Sequence, residues 1–228
     1  MSNKINLSRH SINMIANLQH ISNKILFQPG PNIRVMNTAE TCFCDVVLEE
    51  TFPVQFGILE MNTLIGVFNL PAFRGNDLEI DFQESHMVIS SGPSKVRYRY
   101  AHTSLISLPD DEFELSDVDF QADVEWDTLK TFTSSCQQLG LTLLEFIVDG
   151  DRLKLNGTNP KLGDESNDYT VDIGENTAKF EDCRYGILSS YINLFEGSYQ
   201  ISVDGTGLAE FRNLDSKIVY HVGVELAL

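Results

Sequence analysis

The first apolar pattern of the chain has the period of a helix. Between Lys4 and Lys24, apolar side chains fall on one side of a helix that turns about 100° per residue. These apolar residues are Leu7, Met14, Leu18 and Ile21. The opposite side is polar and carries Arg9, Asn13, Asn17 and His20, with His10 at its edge. The segment is therefore predicted to form an amphipathic helix.

Alternation of apolar and polar residues predicts strands through most of the following hundred residues. The predicted strands are Lys24–Gln28, Asn32–Thr38, Cys42–Glu49, Val54–Leu59, Asp77–Phe82, His86–Ser91 and Ser94–Ala101. Helical spacing returns at Met61–Leu70, where Leu64, Ile65 and Phe68 share one side. The alternation then stops at 102–117, which contains a proline and a run of acids.

Residues 118–228 also combine segments of strand-like alternation with segments of helical spacing. Val118–Val124 alternates like a strand, and Trp126–Leu139 has helical spacing that ends at Gly140, a residue type common just after helices. Helical spacing is also predicted for Tyr185–Phe195. The other predicted strands are Leu143–Val148, Leu153–Asn156, Tyr169–Ile173, Ala178–Asp182, Tyr199–Val203, Gly207–Arg212 and Lys217–Glu225.

A weak internal repeat relates the two halves of the chain. Thr63–Leu70 aligns with Ile187–Leu194, and each half has the order helix, strands, helix, strands. Such a repeat predicts an α+β fold of two similar domains, each with two helices packed on antiparallel sheet. The predicted domains are 1–101 and 118–228, and the segment 102–117 is predicted to connect them.

Composition predicts a soluble globular protein. The 228 residues are 42% hydrophobic with a mean hydropathy of -0.12. Apolar runs are shorter than the ~20 residues that span a bilayer, and an apolar secretion signal is missing, so a cytoplasmic location is expected. The cysteines lack zinc-like spacing and are expected to be buried, reduced thiols. They are Cys42, Cys44, Cys136 and Cys183. No metal and no cofactor are predicted.

Acidic residues avoid the predicted helices, although the chain has a net charge of -17. The windows 1–39, 61–76, 128–144 and 183–195 fall on the four predicted helices and contain seven Lys or Arg and no Asp or Glu. Surface helices usually mix both signs to form i,i+4 pairs. Acid-free helices in an acidic protein therefore indicate a face directed at a polyanion, although short helices that are neutral by chance would give the same pattern.

Two segments carry a resemblance to a known family. Residues 8–18 read SRHSINMIANL and residues 56–70 read FGILEMNTLIGVFNL. Together with the repeat and the acid-free helices, they resemble the DNA polymerase sliding clamps, or processivity factors, of T-even-type bacteriophages, the phage counterparts of proliferating cell nuclear antigen. The resemblance covers essentially the whole chain.

This resemblance implies a non-enzymatic ring with no catalytic residues. The ring would be a head-to-tail homotrimer with the DNA-clamp fold, in which helices line a hole for double-stranded DNA and sheets form the outer wall. Such a ring would be loaded by an ATP-dependent clamp loader, would encircle DNA without sequence preference, and would tether the replicative DNA polymerase. It would act in the cytoplasm of the infected bacterial host.

Three sets of candidate site residues follow from the charge pattern and the resemblance. The DNA-facing set is Lys4, Arg9, His10, Asn13, Asn17, His20, Arg74, Lys130, Ser134, Gln137 and Arg184. The subunit-interface set is Lys95, Arg97, Arg99, Asp168 and Asp172. The pocket for a partner peptide, placed by position alone, is Ile106, Leu108, Pro109, Val224 and Leu226.

Each of the last two sets has a simpler interpretation. Glu79 and Asp81 on a nearby strand would also suit the three interface bases, and would then pair with them inside one domain. Apolar residues in a linker also serve simply to hold the linker against a sheet.

Two other function classes are compatible with the charge alone. An acidic protein that mimics DNA would place its acids on one continuous surface and would not associate with DNA. A hydrolase that uses carboxylates would need a cleft with a perturbed pair, whereas paired acids such as Asp110-Asp111 and Asp164-Glu165 stand in acidic loops. Neither class predicts the repeat or the acid-free helices.

Overall fold

The computed structural model describes residues 3–106, Leu115, 118–175 and 182–226. The chain divides into two compact units, which are Met1–Glu112 (unit 1) and Phe113–Leu228 (unit 2). Both units combine helices with antiparallel sheet, so the predicted α+β class is confirmed.

The described residues of unit 1 form eight strands and two α-helices. The strands are β1 (Lys4–Leu7), β2 (Ile25–Phe27), β3 (Gly30–Met36), β4 (Cys42–Phe52), β5 (Phe56–Ile58), β6 (Leu78–Phe82), β7 (His86–Ser91) and β8 (Ser94–Arg99). The helices are α1 (Arg9–Asn17) and α2 (Met61–Phe68), and 3-10 turns follow at Leu18–His20 and Thr103–Leu105. One sheet has the order β1-β6-β7-β8, while β3 pairs with β4 and β2 pairs with β5.

The predicted helix from Lys4 to Lys24 is wrong at both ends. Its first residues form β1, in which Ile5 and Leu7 lie opposite Ile80 and Leu78 of β6. Ser8 then caps α1, because its side chain accepts a hydrogen bond from the Ser11 amide. Serine is a favourable N-cap residue, and an extended segment before it leaves the main chain of β1 available for pairing.

The core of unit 1 contains a cluster of aromatic rings. The rings of Phe27 and Phe56 stack with centroids 4.5 Å apart, and Phe52 meets both of them edge to face. Phe82 and Tyr100 pack against Phe56. Aromatic contacts of this kind add to the stabilisation from burial, so the cluster ties the small β2–β5 pair to the larger sheet.

Unit 2 contains nine strands and one α-helix among its described residues. The strands are β9 (Val118–Val124), β10 (Leu143–Asp149), β11 (Arg152–Thr158), β12 (Tyr169–Glu175), β13 (Asp182–Leu188), β14 (Tyr199–Asp204), β15 (Leu208–Asn213), β16 (Ile218–Gly223) and β17 (Glu225–Leu226). The helix is α3 (Trp126–Leu139), and 3-10 turns lie at Pro160–Glu165 and Ser189–Tyr191. One sheet has the order β12-β11-β10-β13-β17, and the strands β16-β15-β14-β9 pair in that order.

The predicted helix at Tyr185–Phe195 is also wrong. Its first residues belong to β13, where Tyr185, Gly186 and Ile187 pair with β10 and are buried. Only the 3-10 turn Ser189–Tyr191 is helical. Pairing with β10 satisfies the main chain of these residues, and the serines that follow favour turns over helix interiors.

Other predictions for unit 2 are confirmed. Strand β9 and helix α3 have the predicted bounds, and Gly140 ends α3 with a left-handed φ of 70°. Most other predicted strands are present with ends shifted by a few residues. The predicted strand Ala178–Asp182 lies outside the described residues except for Asp182, which begins β13.

Candidate functional site

Helix α1 is anchored at its N-terminus by a carboxylate from β4. Glu50 accepts hydrogen bonds from the Ser8 amide at 2.7 Å and from the Ser11 hydroxyl at 2.5 Å. Burial acts to raise the pKa of Glu50, but these hydrogen bonds outweigh it and hold the pKa below its ordinary value. A negative charge at a helix N-terminus also complements the helix dipole.

Arg9 joins α1 to the end of α2 and is not a free cation on the helix face. Its guanidinium donates to the Phe68 carbonyl oxygen at 3.4 Å and to Asn69 Oδ1 at 2.7 Å. The last carbonyl groups of a helix lack partners within the helix, so a guanidinium there satisfies one of them. Arg9 was predicted to face DNA, and its contacts give it a structural role within unit 1.

The exposed residues of α1 and α2 are mostly uncharged. On α1 and the turn after it, His10, Asn13 and His20 are exposed and Asn17 is half-buried. The exposed positions of α2 are Asn62, Thr63 and Gly66. Arg74 is exposed in the turn that follows α2. Neither helix contains an acid, but an exposed acid lies beside each of them. Glu60 accepts a hydrogen bond from the Thr63 hydroxyl of α2, and Asp77 accepts one from the Arg9 amide of α1.

Lys4, which was predicted to face DNA from a helix, lies on strand β1. Its ammonium group lies 3.1 Å from Glu79 and 4.0 Å from Asp81. The hydrogen bond with Glu79 raises the pKa of Lys4. Lys4 is therefore a partner within unit 1 for the two acids that were also considered as partners of the β8 bases.

Helix α3 packs one stripe against the five-stranded sheet and exposes the other. Leu129, Phe132 and Cys136 are buried, and the Phe132 ring lies 5.9 Å from the Tyr169 ring of β12. The helix approaches β11 so closely at Gly157 that a Cβ added there would lie 2.5 Å from Cys136 Sγ. Burial raises the pKa of the Cys136 thiol to about 11, so this cysteine is a packing residue.

The exposed stripe of α3 contains Lys130, Ser134 and Gln137, as predicted for the DNA-facing set. Asp127 is also exposed, in the first turn of the helix. The stripe borders a groove of about 590 Å³ between α3 and the segment Ser189–Leu194. Among the described residues that line the groove there is no Asp or Glu, and Lys130 is the one charged residue.

Arg184 lies on a strand of the five-stranded sheet, and its side chain is on the face opposite to α3. It belongs to β13, and its guanidinium lies 3.4 Å from Glu145 Oε1 on β10. In the sheet register, Leu144 pairs with Gly157 on the α3 side, so the neighbouring Glu145 points to the opposite face. The prediction failed because Tyr185–Phe195 does not form a helix.

The candidate interface residues lie on or beside edge strands. Strand β8 ends the order β1-β6-β7-β8, and its exposed Lys95, Arg97 and Arg99 have no ion pair within the part of unit 1 that is described. Strand β12 ends the five-stranded sheet of unit 2. On it, Asp172 accepts hydrogen bonds from Arg152, and the largest effect on the Asp172 pKa is the lowering caused by this contact. Asp168 is exposed just before β12.

The candidate peptide pocket is only partly described. Ile106 packs over Gly57, where an added Cβ would lie 2.9 Å from Ile106 Cδ1. This contact favours the simpler interpretation, in which Ile106 holds the connector against the sheet. Val224 is half-buried and its amide donates to the Gly207 carbonyl, while Leu226 pairs with Tyr185 through β17. Leu108 and Pro109 lie outside the described residues.

Two features of the site were not predicted from the sequence. The groove wall at Ser189 and Ser190 was hidden by the predicted helix, although two adjacent serines are a recognised sign of a turn. The contact between Arg9 and the end of α2 depends on tertiary packing. Within the described ranges, no helix is long and apolar enough to span a membrane, and no group of His, Cys, Asp and Glu is placed to hold a metal ion.

Similarity to known proteins supports the fold and the resemblance. No protein-family model matches the chain. The sliding clamp of Vibrio phage KVP40 is 20% identical over 225 residues, which cover 96% of this chain and 98% of that protein. The crystal structure of PCNA from Thermococcus kodakaraensis matches with a TM-score of 0.76 at 13% identity, covering 97% of this chain and 99% of that one.

A further match is the A. fulgidus PCNA bound to the C-terminal region of FEN-1, with a TM-score of 0.74 at 11% identity and 99% coverage of both chains. The shared architecture over nearly the whole length confirms the DNA-clamp fold. Over nearly its whole length, this chain is therefore similar in fold to PCNA and in sequence to a phage sliding clamp.

Proposed function

We propose that this protein is the subunit of a ring that encircles double-stranded DNA and tethers a replicative DNA polymerase. The observation that carries the proposal is the distribution of charge on the clamp fold. Helices α1 and α2 contain no acid, and α3 has one in its first turn, within a chain of net charge -17. An acidic body whose described helices contain one acid in total favours contact between the helices and a polyanion.

Weak contacts suit this function. Phosphate contacts fix a protein on DNA without reading its sequence, and each one adds affinity that depends on salt. The exposed helix residues are mainly Asn, Ser, Thr and Gln, with Lys130 and Arg74 as exposed bases. A closed ring keeps the protein on DNA by topology, so tight binding would only slow its movement.

The rival function classes fit the structure less well. A DNA mimic would present its acids where a partner reads them, whereas α1 and α2 contain none. A carboxylate hydrolase needs two acids enclosed in a cleft. The described lining of the groove beside α3 contains none, and Asp123 and Glu175, which line a smaller groove between β9 and β12, are both exposed. The proposed function has no chemical step.

Retention on circular DNA tests the proposal. The protein is loaded by a cognate clamp loader and ATP onto a nicked plasmid and isolated by gel filtration, and half of the sample is then linearised. We expect the protein to stay on the circle and to leave the linear form. Equal retention on both forms would show that it binds DNA directly and would contradict the clamp function.

We further propose that the ring is a head-to-tail homotrimer closed by two edge strands. The compact units would act as the domains 1–101 and 118–228, joined by 102–117. Strand β8 of one subunit would pair with β12 of the next, because an edge strand offers unpaired main-chain groups. The exposed bases Lys95, Arg97 and Arg99 would then approach Asp168 and the acidic end of the next subunit's β12.

The assembly mass tests this interface. Arg97→Glu is expected to reduce the mass measured by light scattering from that of a trimer to that of a monomer. Arg97→Glu combined with Asp168→Arg should restore part of the trimer. Lys217→Glu is the matched control, since Lys217 is exposed in the turn before β16. An unchanged mass for Arg97→Glu would remove β8 from the interface.

The partners beyond DNA are proposed by analogy. The A. fulgidus PCNA binds the C-terminal region of FEN-1, and we propose that a polymerase peptide binds this chain near the connector and Val224. An ATP-dependent clamp loader would open the ring, and the protein would act in the cytoplasm of an infected bacterium. Val224→Glu should weaken binding of the polymerase, and Leu214→Glu, at an exposed leucine, should not.

A further inference from the structure

One face of the edge strand β8 is apolar and only half-buried. Val96 lies opposite Ile89 of β7, and Tyr98 lies opposite Met87. Directly opposed residues share one face of a sheet, and both β7 residues are buried in the core of unit 1. Tyr100, which follows β8, packs on the aromatic cluster and is also half-buried. The core of unit 1 therefore extends to its edge strand and ends there partly uncovered.

The edge strand β12 has the same arrangement in unit 2. Val171 lies opposite the buried Leu155 of β11, and the Tyr169 ring packs on the Phe132 ring of α3. Ile173 lines a groove of about 300 Å³ between β9 and β12. Tyr169, Val171 and Ile173 are all half-buried. The core of unit 2 is therefore also incompletely covered along this edge.

The other faces of the two strands carry opposite charge. Lys95, Arg97 and Arg99 alternate with the apolar residues of β8 and are exposed. Asp172 is exposed on β12, and Asp168 is exposed just before it. Side chains alternate between the faces of a strand, so one continuous sheet can join apolar face to apolar face and basic face to acidic face. A slip of one residue would reverse both matches.

This double match leaves few registers for a pair of β8 and β12. Neighbouring strands in the sheets that end at β8 and β12 are antiparallel. In an antiparallel pair with matching faces, the register changes in steps of two residues. Val96 opposite Ile173 pairs the whole of β8 with residues of β12. A shift of one step in either direction carries β8 past an end of β12.

We propose that β8 of one subunit pairs with β12 of the next in this register, and that their half-buried side chains complete one apolar layer through both subunits. The apolar pairs are Val96 with Ile173, Tyr98 with Val171, and Tyr100 with Tyr169. On the other face, Arg97 lies opposite Asp172.

The two faces of this interface have different tasks. The inference rests on the proposed ring and adds to it the register and the source of affinity. Exposed ion pairs add little net stability, whereas apolar burial stabilises in proportion to its area. The apolar face therefore supplies most of the affinity. The charged face selects the register, since a like charge placed opposite Asp172 would be repulsive.

Disulfide formation between subunits tests the register. Thr170→Cys combined with Arg99→Cys places two thiols directly opposite each other, at a Cα separation of about 4.5–5.5 Å that a disulfide spans. Thr170→Cys with Arg97→Cys is the matched control, because its thiols meet only after a shift of two residues. Both proteins are oxidised with copper phenanthroline and separated on a denaturing gel without reductant. The unsubstituted chain measures background from its own cysteines, of which Cys183 is the most accessible.

We expect the Arg99→Cys pair to form covalent dimers and trimers roughly tenfold faster than the Arg97→Cys pair, because diagonal neighbours are too far apart for a disulfide. An equal or faster reaction of the Arg97→Cys pair would overturn the register. Failure of both pairs to crosslink in a chain that is still trimeric would overturn the contact between β8 and β12.

The concentration at which half of the trimer dissociates tests the apolar contact. Val96→Ser and Val171→Ser should each raise this concentration by roughly tenfold or more, since every interface of the ring loses one buried valine side chain. Val47→Ser is the matched control, because Val47 is a 37% exposed valine on β4, and it should change nothing. Sedimentation equilibrium measures the assembly, and circular dichroism checks the fold of each variant. Unchanged dissociation of both interface variants would overturn the apolar contact.

The retention assay distinguishes this inference from the function on which it rests. The unsubstituted protein and the Thr170→Cys, Arg99→Cys protein are both tested on circular and linear DNA. Rings that stay on circles but form no covalent trimer on oxidation would leave the clamp function intact and contradict only the register. Loss of the difference between circles and linear DNA in the unsubstituted protein would contradict the function itself.

Discussion

Helices α1 and α3 are fixed to their units by different kinds of contact. Helix α1 has nine residues and buries Ile12, Met14 and Ile15. Polar bonds add to this burial, since Glu50 binds its N-terminus and Arg9 links it to the end of α2. Helix α3 has fourteen residues and is held by an apolar stripe packed tightly on β11 and β12. Apolar burial is therefore common to both helices, and the contacts of Glu50 and Arg9 distinguish α1.

The segments after these helices differ as well. Thr63–Leu70 and Ile187–Leu194 align in sequence, but the first belongs mainly to α2 and the second continues β13 into a turn. In α2 the buried residues Leu64 and Phe68 are four positions apart, on one side of the helix, whereas Tyr185, Gly186 and Ile187 of β13 are buried in succession and pair with β10. Local sequence similarity therefore did not decide the structure.

The largest expected loss of stability comes from a substitution where α3 closely approaches its sheet. Gly157→Ala places a methyl group 2.5 Å from Cys136 Sγ and 3.0 Å from Leu141. Overpacking of this kind costs about 1–3 kcal/mol, and a loss in that range is expected in the free energy of unfolding measured with urea. Cys136→Ala combined with Gly157→Ala should recover part of the loss, and strict additivity of the two changes would contradict the packing account.

Removing the link between α1 and α2 should have a smaller effect. Arg9→Ala loses the hydrogen bonds to Phe68 and Asn69, and we expect unfolding free energy to fall by about 1 kcal/mol. Lys130→Ala removes a base of similar size from α3 without removing an internal bond, and it should leave stability unchanged. If Arg9→Ala is as stable as the parent protein, the Arg9 contacts do not anchor the helices.

Substitution of a glycine in α2 should change the free energy of unfolding in the opposite direction. Gly66 lies within α2, is exposed, and has nothing within 4 Å of an added Cβ. Alanine is a better helix former than glycine by about 1 kcal/mol, so Gly66→Ala is expected to stabilise unit 1. Destabilisation measured under the conditions used for Gly157→Ala would mean that this face of α2 is covered in the assembly.

The sequence predicts much of the fold because apolar residues recur in most elements with the spacing of a strand or a helix. Strand β9 and helix α3 were predicted with their observed bounds, and Gly140 marked the end of the helix. The prediction failed where tertiary pairing competed with a local pattern, as in β1 and β13. For the candidate site, composition identified acid-free helices, but the partners of Arg9, Lys4 and Arg184 could not be predicted, since each partner is at least 39 residues away.

The smallest expected effect is that the contribution of Glu50, which anchors α1, to the free energy of unfolding depends on pH. The folded-state pKa of Glu50 is below its ordinary value, so its contribution to stability is complete above the unfolded pKa of about 4.3 and is lost as pH falls through the folded value. Glu50→Gln should therefore be less stable than the parent at pH 7, by about 1 kcal/mol or less for the weakened hydrogen bonds. The difference should decrease in urea titrations as the pH is lowered below about 4.3.

The neighbouring acid supplies the control for this measurement. Glu49 is exposed on β4 and makes none of the bonds to Ser8 or Ser11, so Glu49→Gln should follow the pH profile of the parent. A difference between Glu50→Gln and the parent that stays constant from pH 7 to pH 3 would show that the shape of the side chain, and not its charge, anchors α1. In that case the polar anchoring of α1 would depend on hydrogen-bond geometry alone, and its contrast with the apolar anchoring of α3 would be weaker.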